Sequence, residues 1–222
     1  MRIIKTIIKK ILKNGLVLGL HNRIYNIIKI NKKSKIVIDN SSFLHHCKIR
    51  VKGENNLIEI KHGCKLQNMM IDIYGSDTHI LIEDNVMATD LQIWCEDKGN
   101  KIIIGNSTTI HGRTKLSCIE GTQIRIGSDC MFSSDIVLAT GDSHSILDDK
   151  NNRINPSMDI VIEDHVWIGQ KSTILKGSHI LQNSIVGAAS LCTKKYPKGN
   201  SVIAGVPGRI VKENVNWDRY RL

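Results

Sequence analysis

Aromatic side chains are scarce. Two Phe and four Tyr in 222 residues leave the interior to aliphatic side chains. None of the six cysteines forms a C-x-x-C pair, which argues against a thiolate metal site. Residues 1–35 contain no Asp or Glu but ten Lys or Arg, whereas residues 36–222 hold 21 residues of each sign. The formal charge of +10 therefore sits entirely in the N-terminal segment. A neutral body excludes the basic groove that a nucleic-acid backbone requires, so no nucleic-acid partner is expected. Long apolar runs are also missing from that segment. Its longest uncharged run, Asn14 to Asn22, is too short to cross a membrane, and lysines interrupt the stretch where a secretory signal needs an unbroken apolar core.

What the segment does contain is an amphipathic pattern. Ile3, Ile4, Ile7, Ile8, Ile11 and Leu12 share one helical face, with Lys5, Lys9 and Lys13 alongside. Two readings stay open for residues 1–30: contact with an anionic membrane surface, or packing on the body or on a sister subunit with the lysines solvated.

The body repeats. "IEIKHGC" from Ile58, "ILIEDNV" from Ile80, "IIIGNST" from Ile102 and "IRIGSDC" from Ile124 follow one another at intervals of 22 residues. A fifth copy, "IVIEDHV" from Ile160, arrives after 36, so 14 extra residues lie between coils. From Ile162 a six-residue period takes over, through Ile168, Ile174, Ile180 and Val186. Three sixes make a coil with three short flat faces, each turning an aliphatic side chain inward, and 22 residues make the same coil with a longer corner. Coils of this kind bury their apolar sides only by stacking. Helical repeats would space apolar residues by three and four, and an antiparallel sheet would alternate over longer stretches. The expected fold is therefore an all-β solenoid, a parallel β-helix.

Cysteine and histidine use fits that fold. Cys64 and Cys130 occupy the repeat position held elsewhere by Val86, Thr108 and Val166, which makes them small core fillers, reduced as in a cytoplasmic protein. Of the nine histidines, His21 belongs to the basic segment, while His45 and His46 look like turn residues. His62 and His165 fall beside turns, where solvation is expected, and His79, His111 and His179 occupy similar corners. A zinc site of the γ-carbonic anhydrase kind needs three converging imidazoles. The nearest histidine in sequence to His144 is His165, so the close pair of that pattern is absent and no metal is expected.

"VWIGQKSTILKGSHILQNSIVGAASLCTKKYPKGNSVIAGVPGRIV", residues 166–211, resembles the last coils of the hexapeptide-repeat acyltransferases. The likeness is closest to the polysaccharide and sialic acid O-acetyltransferases, through the motifs D-x-H-x-I (Asp142, His144, Ile146), V-W-I-G (Val166 to Gly169) and A-G-x-P (Ala204 to Pro207). It is strong from about residue 100 to 211, looser over 36–99 and absent before. The resemblance implies a left-handed helix, which the period alone does not determine. The domains expected are a basic helical segment over 1–35, the β-helix over 36–211 with an inserted active-site loop at about 144–159, and a tail over 212–222.

The resemblance further implies transfer of acetyl from acetyl-CoA, a co-substrate and not a resident cofactor, to a sugar hydroxyl, without an acyl-enzyme. Such transfer needs a base for the hydroxyl proton, and imidazole is matched to that task near neutral pH. His144 takes this role by correspondence. Asp142, two residues earlier, or a backbone carbonyl would hold its tautomer, because residues two apart in an extended segment point the same way. Trp167 would border the acetyl group; its alternative is an aromatic at a corner or subunit seam. Gly187 and Ala188 would let the pantetheine arm lie against the backbone, with Thr193, Lys194, Lys195 and Arg209 at the phosphates. Gln170 stands where the family often has a smaller residue. Arg153 is either a contact to an acidic sugar or half of a salt bridge on the loop. Family members are homotrimers with sites between subunits. An N-acetyltransferase on an amino or nucleotide sugar, and a non-catalytic assembly module, are the competing readings.

Overall fold

The computed structural model describes residues 15–221. The apolar face from Ile3 to Leu12 lies outside them. A short helix, α1 (Gly15–Ile24), leads into three sheets of eight, seven and nine strands, parallel except at the C-terminal end of the third, that form the faces of a triangular prism. The chain visits the first, second and third faces in turn, and each strand pairs with its equivalent one coil later.

The repeat explains this arrangement directly. On the second face, β5 (Leu57–Ile60), β8 (His79–Ile82), β11 (Lys101–Ile104), β14 (Gln123–Ile126) and β17 (Ile160–Ile162) bring Ile58, Ile80, Ile102, Ile124 and Ile160 into one register. All five are fully buried. Each contributes about 1.5–3 kcal/mol relative to exposure, the reason a ladder of single isoleucines can replace an aromatic core. Because Ile124 and Ile160 are direct neighbours, the 14 extra residues are looped out of the stack.

Corners need residues that tolerate positive φ. Asn68, Asp90 and Asp135 supply it between the third and first faces, and Asn85, Ser107, Asp129, His165 and Asn183 between the second and third. Asn and Asp accept this conformation more readily than other residues with a side chain. Gly75 is required for a different reason: a Cβ there would lie 1.5 Å from the carbonyl oxygen of Asp97 in the next coil. Cys64, Val86, Thr108, Cys130 and Val166 are all fully buried at one inward position. Burial pushes the Cys130 thiol up to about 12. All six cysteines are buried and unpaired. A thiol reagent at about pH 8 should therefore label none of them within minutes in the folded protein and all six after denaturation. Rapid labelling of one site in the native state would contradict the packing.

The ends differ from expectation. The stack begins at β1 (Ile27–Lys29), which pairs with β4 (Lys48–Val51), and so starts before residue 36. At the other end β23 (Ser201–Gly205) turns back into the antiparallel β24 (Gly208–Glu213). The segment after it returns to the third face, where Arg219 binds Asp129, Thr109 Oγ1 and the carbonyls of Asp129 and Cys130. No helix among the described residues is long and apolar enough to cross a membrane.

Candidate active site

The looped-out segment leaves the prism between β16 (Val137–Ala139) on the first face and β17 on the second. It is a small hairpin: Ile154 N–H donates to Ile146 O, Leu147 bridges Arg153, and Asp148 accepts from the N–H groups of Lys150 and Asn152 at the tip. His144 sits at its base with an exposed side chain. Among the described residues none hydrogen-bonds its ring.

Asn155 holds this hairpin together. Its side chain, 7% exposed, donates to Asp142 Oδ2 and to the carbonyl oxygen of His144, both at 2.8 Å, and accepts from Ile146 N–H at 2.7 Å. The backbone of His144 is thus fixed while its imidazole is left free. No motif in the sequence marks Asn155; its one local signal is the Asn155-Pro156 dipeptide, a common turn former.

Two ion pairs tie the hairpin to the stack. Arg153 forms a bidentate pair with Glu120 of the preceding coil, with Nη1 2.7 Å from Oε1 and Nη2 3.0 Å from Oε2. Of the two readings of Arg153, the salt bridge on the loop is the one present in the structure. Asp142 Oδ2 lies 2.5 Å from Lys176 Nζ in the following coil. The expected Asp142 contact to the His144 ring is not made, because Ser143 between them takes φ 63° and the segment is not extended.

Arg153, followed by the Ser157 contact, holds the Glu120 carboxyl at about 2, and Lys176 holds that of Asp142 below its ordinary value. Lowered carboxyl values stabilise the folded form above the ordinary value of 4.5 and lose that contribution as pH falls toward about 2. A spin label introduced by D149C, with the native cysteines inaccessible, should be immobile above about pH 5 and gain mobility between about pH 4.5 and 2. Unchanged mobility across that window would mean that the two pairs do not anchor the hairpin.

The remaining candidates divide between sides of the prism. Thr193, Lys194 and Lys195 follow β22 (Leu191–Cys192) at the same edge as His144, two coils further along, all exposed. Lys194 O accepts from His179 N–H, and Lys195 bridges His179. Gly187 and Ala188 lie at the corner between the third and first faces, where Ala188 and Ala189 are exposed. Gly169 at the same corner is needed by the stacking itself, since a Cβ would lie 2.6 Å from Ala188 N. Arg209 is exposed on β24. Lys194, Lys195 and Arg209 have no carboxylate partner among the described residues.

Trp167 opens β18 (Trp167–Ile168) on the third face, between Met131 and Ile185. The second face separates it from the His144 edge, so one chain does not bring the two together. Its Nε1 is buried without a hydrogen-bond partner. Beside it Trp217 of the returning tail stacks on His165 at 4.2 Å between centroids. His165 contacts Asp129 Oδ2 at 2.6 Å and Trp217 O at 3.0 Å, and so is not the solvated corner residue expected; His62 is 66% exposed. Two concavities of about 440 and 600 Å³ lie at the α1 end and beside β24; neither is lined by His144 or Trp167.

No protein-family model matches the chain. It is 33% identical over 185 residues, 83% of this chain and 85% of the relative, to a polysialic acid O-acetyltransferase of Neisseria meningitidis. Among solved structures, the polysialic acid O-acetyltransferase OatWY superimposes with a TM-score of 0.82 at 32% identity, covering 89% of this chain and 92% of that one. The polySia-specific acetyltransferase NeuO follows with 0.76 at 29% identity, covering 88% and 85%.

Proposed function

The chain belongs to the hexapeptide-repeat acyltransferases, alongside the polysialic acid O-acetyltransferases, and from that premise we propose that it acetylates a hydroxyl of a bacterial surface polysaccharide, or its precursor, from acetyl-CoA. The observation that carries the reading is the exposed His144 on a hairpin whose backbone is pinned by Asn155 at the coil where the repeat is interrupted. His144 removes the proton from the acceptor hydroxyl as its oxygen attacks the thioester carbonyl. The new C–O bond forms, the tetrahedral intermediate collapses, the C–S bond breaks, and the proton passes to the departing sulfur. Ester and free coenzyme A thiol result, with no covalent enzyme intermediate.

Two features support the placement of the acetyl donor. Thr193, Lys194 and Lys195 lie on the His144 edge with their cations uncommitted, as phosphate ligands must be. The bare corner at Gly187 and Ala188 offers backbone to a pantetheine arm, and Arg209 adds a further cation. Asp142 acts through Lys176 and Asn155 to set the hairpin and not through the imidazole.

The separation of His144 from Trp167 supports a site shared between copies in a homotrimer. The second face lies between their two edges and turns Val37, Glu59, Leu81, Ile103, Arg125 and Val161 outward in one register, apolar except for Glu59 and Arg125. If that face turns toward a threefold axis, a closed head-to-tail ring sets the His144 edge of one copy beside the Trp167 side of the next. Exposed Leu20, Ile24, Tyr25, Ile27 and Ile28 continue the basic N-terminal segment and support peripheral contact with the cytoplasmic membrane face.

The experiment is thiol release from acetyl-CoA with a panel of acidic and neutral glycans. Release that depends on an acidic polysaccharide is expected. Coenzyme A binding without release for any glycan would leave the acceptor class wrong, and failure to bind coenzyme A would overturn the reading.

A further inference from the structure

The first face carries a feature that the acetyl-transfer chemistry does not use. Tyr74 and Trp94 project outward and stay 38% and 39% exposed, in a chain with few aromatic residues. Their rings lie 4.5 Å apart between centroids, and Lys52 Nζ sits 4.3 Å from the centre of the Tyr74 ring. Lys48 and Lys115 are exposed on the same face, while Arg50 is taken up by the buried Asp72. Carboxylates stand at the corners that flank these strands: Asp90 before them, and Glu54, Asp77, Glu96 and Asp97 after them, with Glu54 and Asp77 paired to Lys33 and Lys98. The result is a flat aromatic platform with lysines on its own face and the acidic groups beyond it.

Its position relates it to the hairpin. Trp94 on β10 (Leu91–Cys95) is in register with Ser117 on β13 (Thr114–Cys118) and then with Ala139, the last residue before the chain departs toward His144. Parallel strands lie about 4.8 Å apart, so the platform is two strands, roughly 10 Å, from the root of the hairpin. The row of Trp94 continues through Asp72 and Arg50, and Tyr74 and Lys52 lie one and two coils beyond in the next outward row, just past the ends of their strands and in line with Glu96. Gly53 and Gly75 keep these coils in close contact at the neighbouring corner, which sets the two rings at a fixed separation.

We infer that Lys52, Tyr74 and Trp94 form an accessory site for the extended acceptor glycan, gripping units of an anionic chain away from the unit presented to His144. The inference rests on the acceptor proposed above. The faces of aromatic rings are electronegative and attract the weakly positive C–H edges of a pyranose, and the ammonium groups of Lys48, Lys52 and Lys115 on this face pair with sugar carboxylates. A glycan is favoured over a second copy of the chain because the patch is small and carries lysines on its own face, whereas the outward Val37, Leu81, Ile103 and Val161 lie on the second face. A polymer that spans both places gains affinity from the second contact without any change at the reacting centre.

The test compares wild type with Trp94→Ala and Trp94→Phe, using polysialic acid and the shortest sialic acid oligosaccharide that wild type acetylates. Trp94→Ala should raise KM for the polymer by about 10-fold with kcat changed less than about 2-fold and the oligosaccharide kinetics unchanged. Trp94→Phe should restore most of the polymer KM. An unchanged polymer KM, or an equal rise for both acceptors, would overturn the site. So would loss of oligomeric mass in Trp94→Ala, which would make the patch an interface between copies. Affinity electrophoresis through gels containing polysialic acid separates this idea from the catalytic reading. Retardation of wild type that is lost in Trp94→Ala supports the site even if no acetyl is transferred, and no retardation of wild type overturns it.

Discussion

His144→Ala is expected to lower glycan-dependent thiol release by about 10²–10⁴-fold, the range over which a positioned general base acts. The loss should fall on kcat, with KM for acetyl-CoA unchanged, because the cations assigned to the donor lie two coils away at Lys194 and Lys195. The fold should not suffer. The imidazole is exposed, and it is the backbone carbonyl of His144, not its ring, that the hairpin uses. Melting temperature and oligomeric mass should match wild type. Turnover within about 3-fold of wild type would remove His144 from the role of base.

Asn155→Asp should produce the second largest effect, a fall in kcat of about 10–100-fold, on the scale expected when a reacting group is misplaced by about 1 Å. The substitution keeps shape and volume but turns the two-donor end of the side chain into an acceptor. It then confronts Asp142 Oδ2 and the carbonyl oxygen of His144, each now 2.8 Å from the amide nitrogen. Lys176 and Arg153 are close enough to offset part of the repulsion, which is why the hairpin should shift and not unfold. The change in melting temperature should be small, since the hairpin lies outside the stacked core. The contrast with His144→Ala is informative: both lower kcat, but only Asn155→Asp should raise the mobility of a spin label on the hairpin. Wild-type kcat in Asn155→Asp would show that this side chain does not set the posture of His144.

Much of the stack was legible because its energetics are periodic. A coil that must bury one aliphatic residue per face repeats that residue at the length of the coil, so Ile58, Ile80, Ile102, Ile124 and Ile160 announced both their register and the break after Ile124. The cysteines were legible for the same reason, as equivalents of Val86 and Val166. The hairpin was not, because its conformation depends on single side chains at no fixed interval. Ser143 in the left-handed region turned Asp142 away from the His144 ring toward Lys176, and an extended-segment argument could not see that. Arg153 finds Glu120 and Trp217 finds His165, 33 and 52 residues apart in the chain, through contacts that leave no pattern in a single sequence.

Acetyl ester formation on a glycan is the reaction on which the proposed function stands. Polysialic acid incubated with the protein and acetyl-CoA labelled in the acetyl group tests it most directly, with the polymer then separated and treated with mild alkali or hydroxylamine. The polymer should carry label that these treatments release and that is missing with His144→Ala. Label that resists both, and therefore sits in an amide, or no label with coenzyme A bound, would contradict O-acetyl transfer.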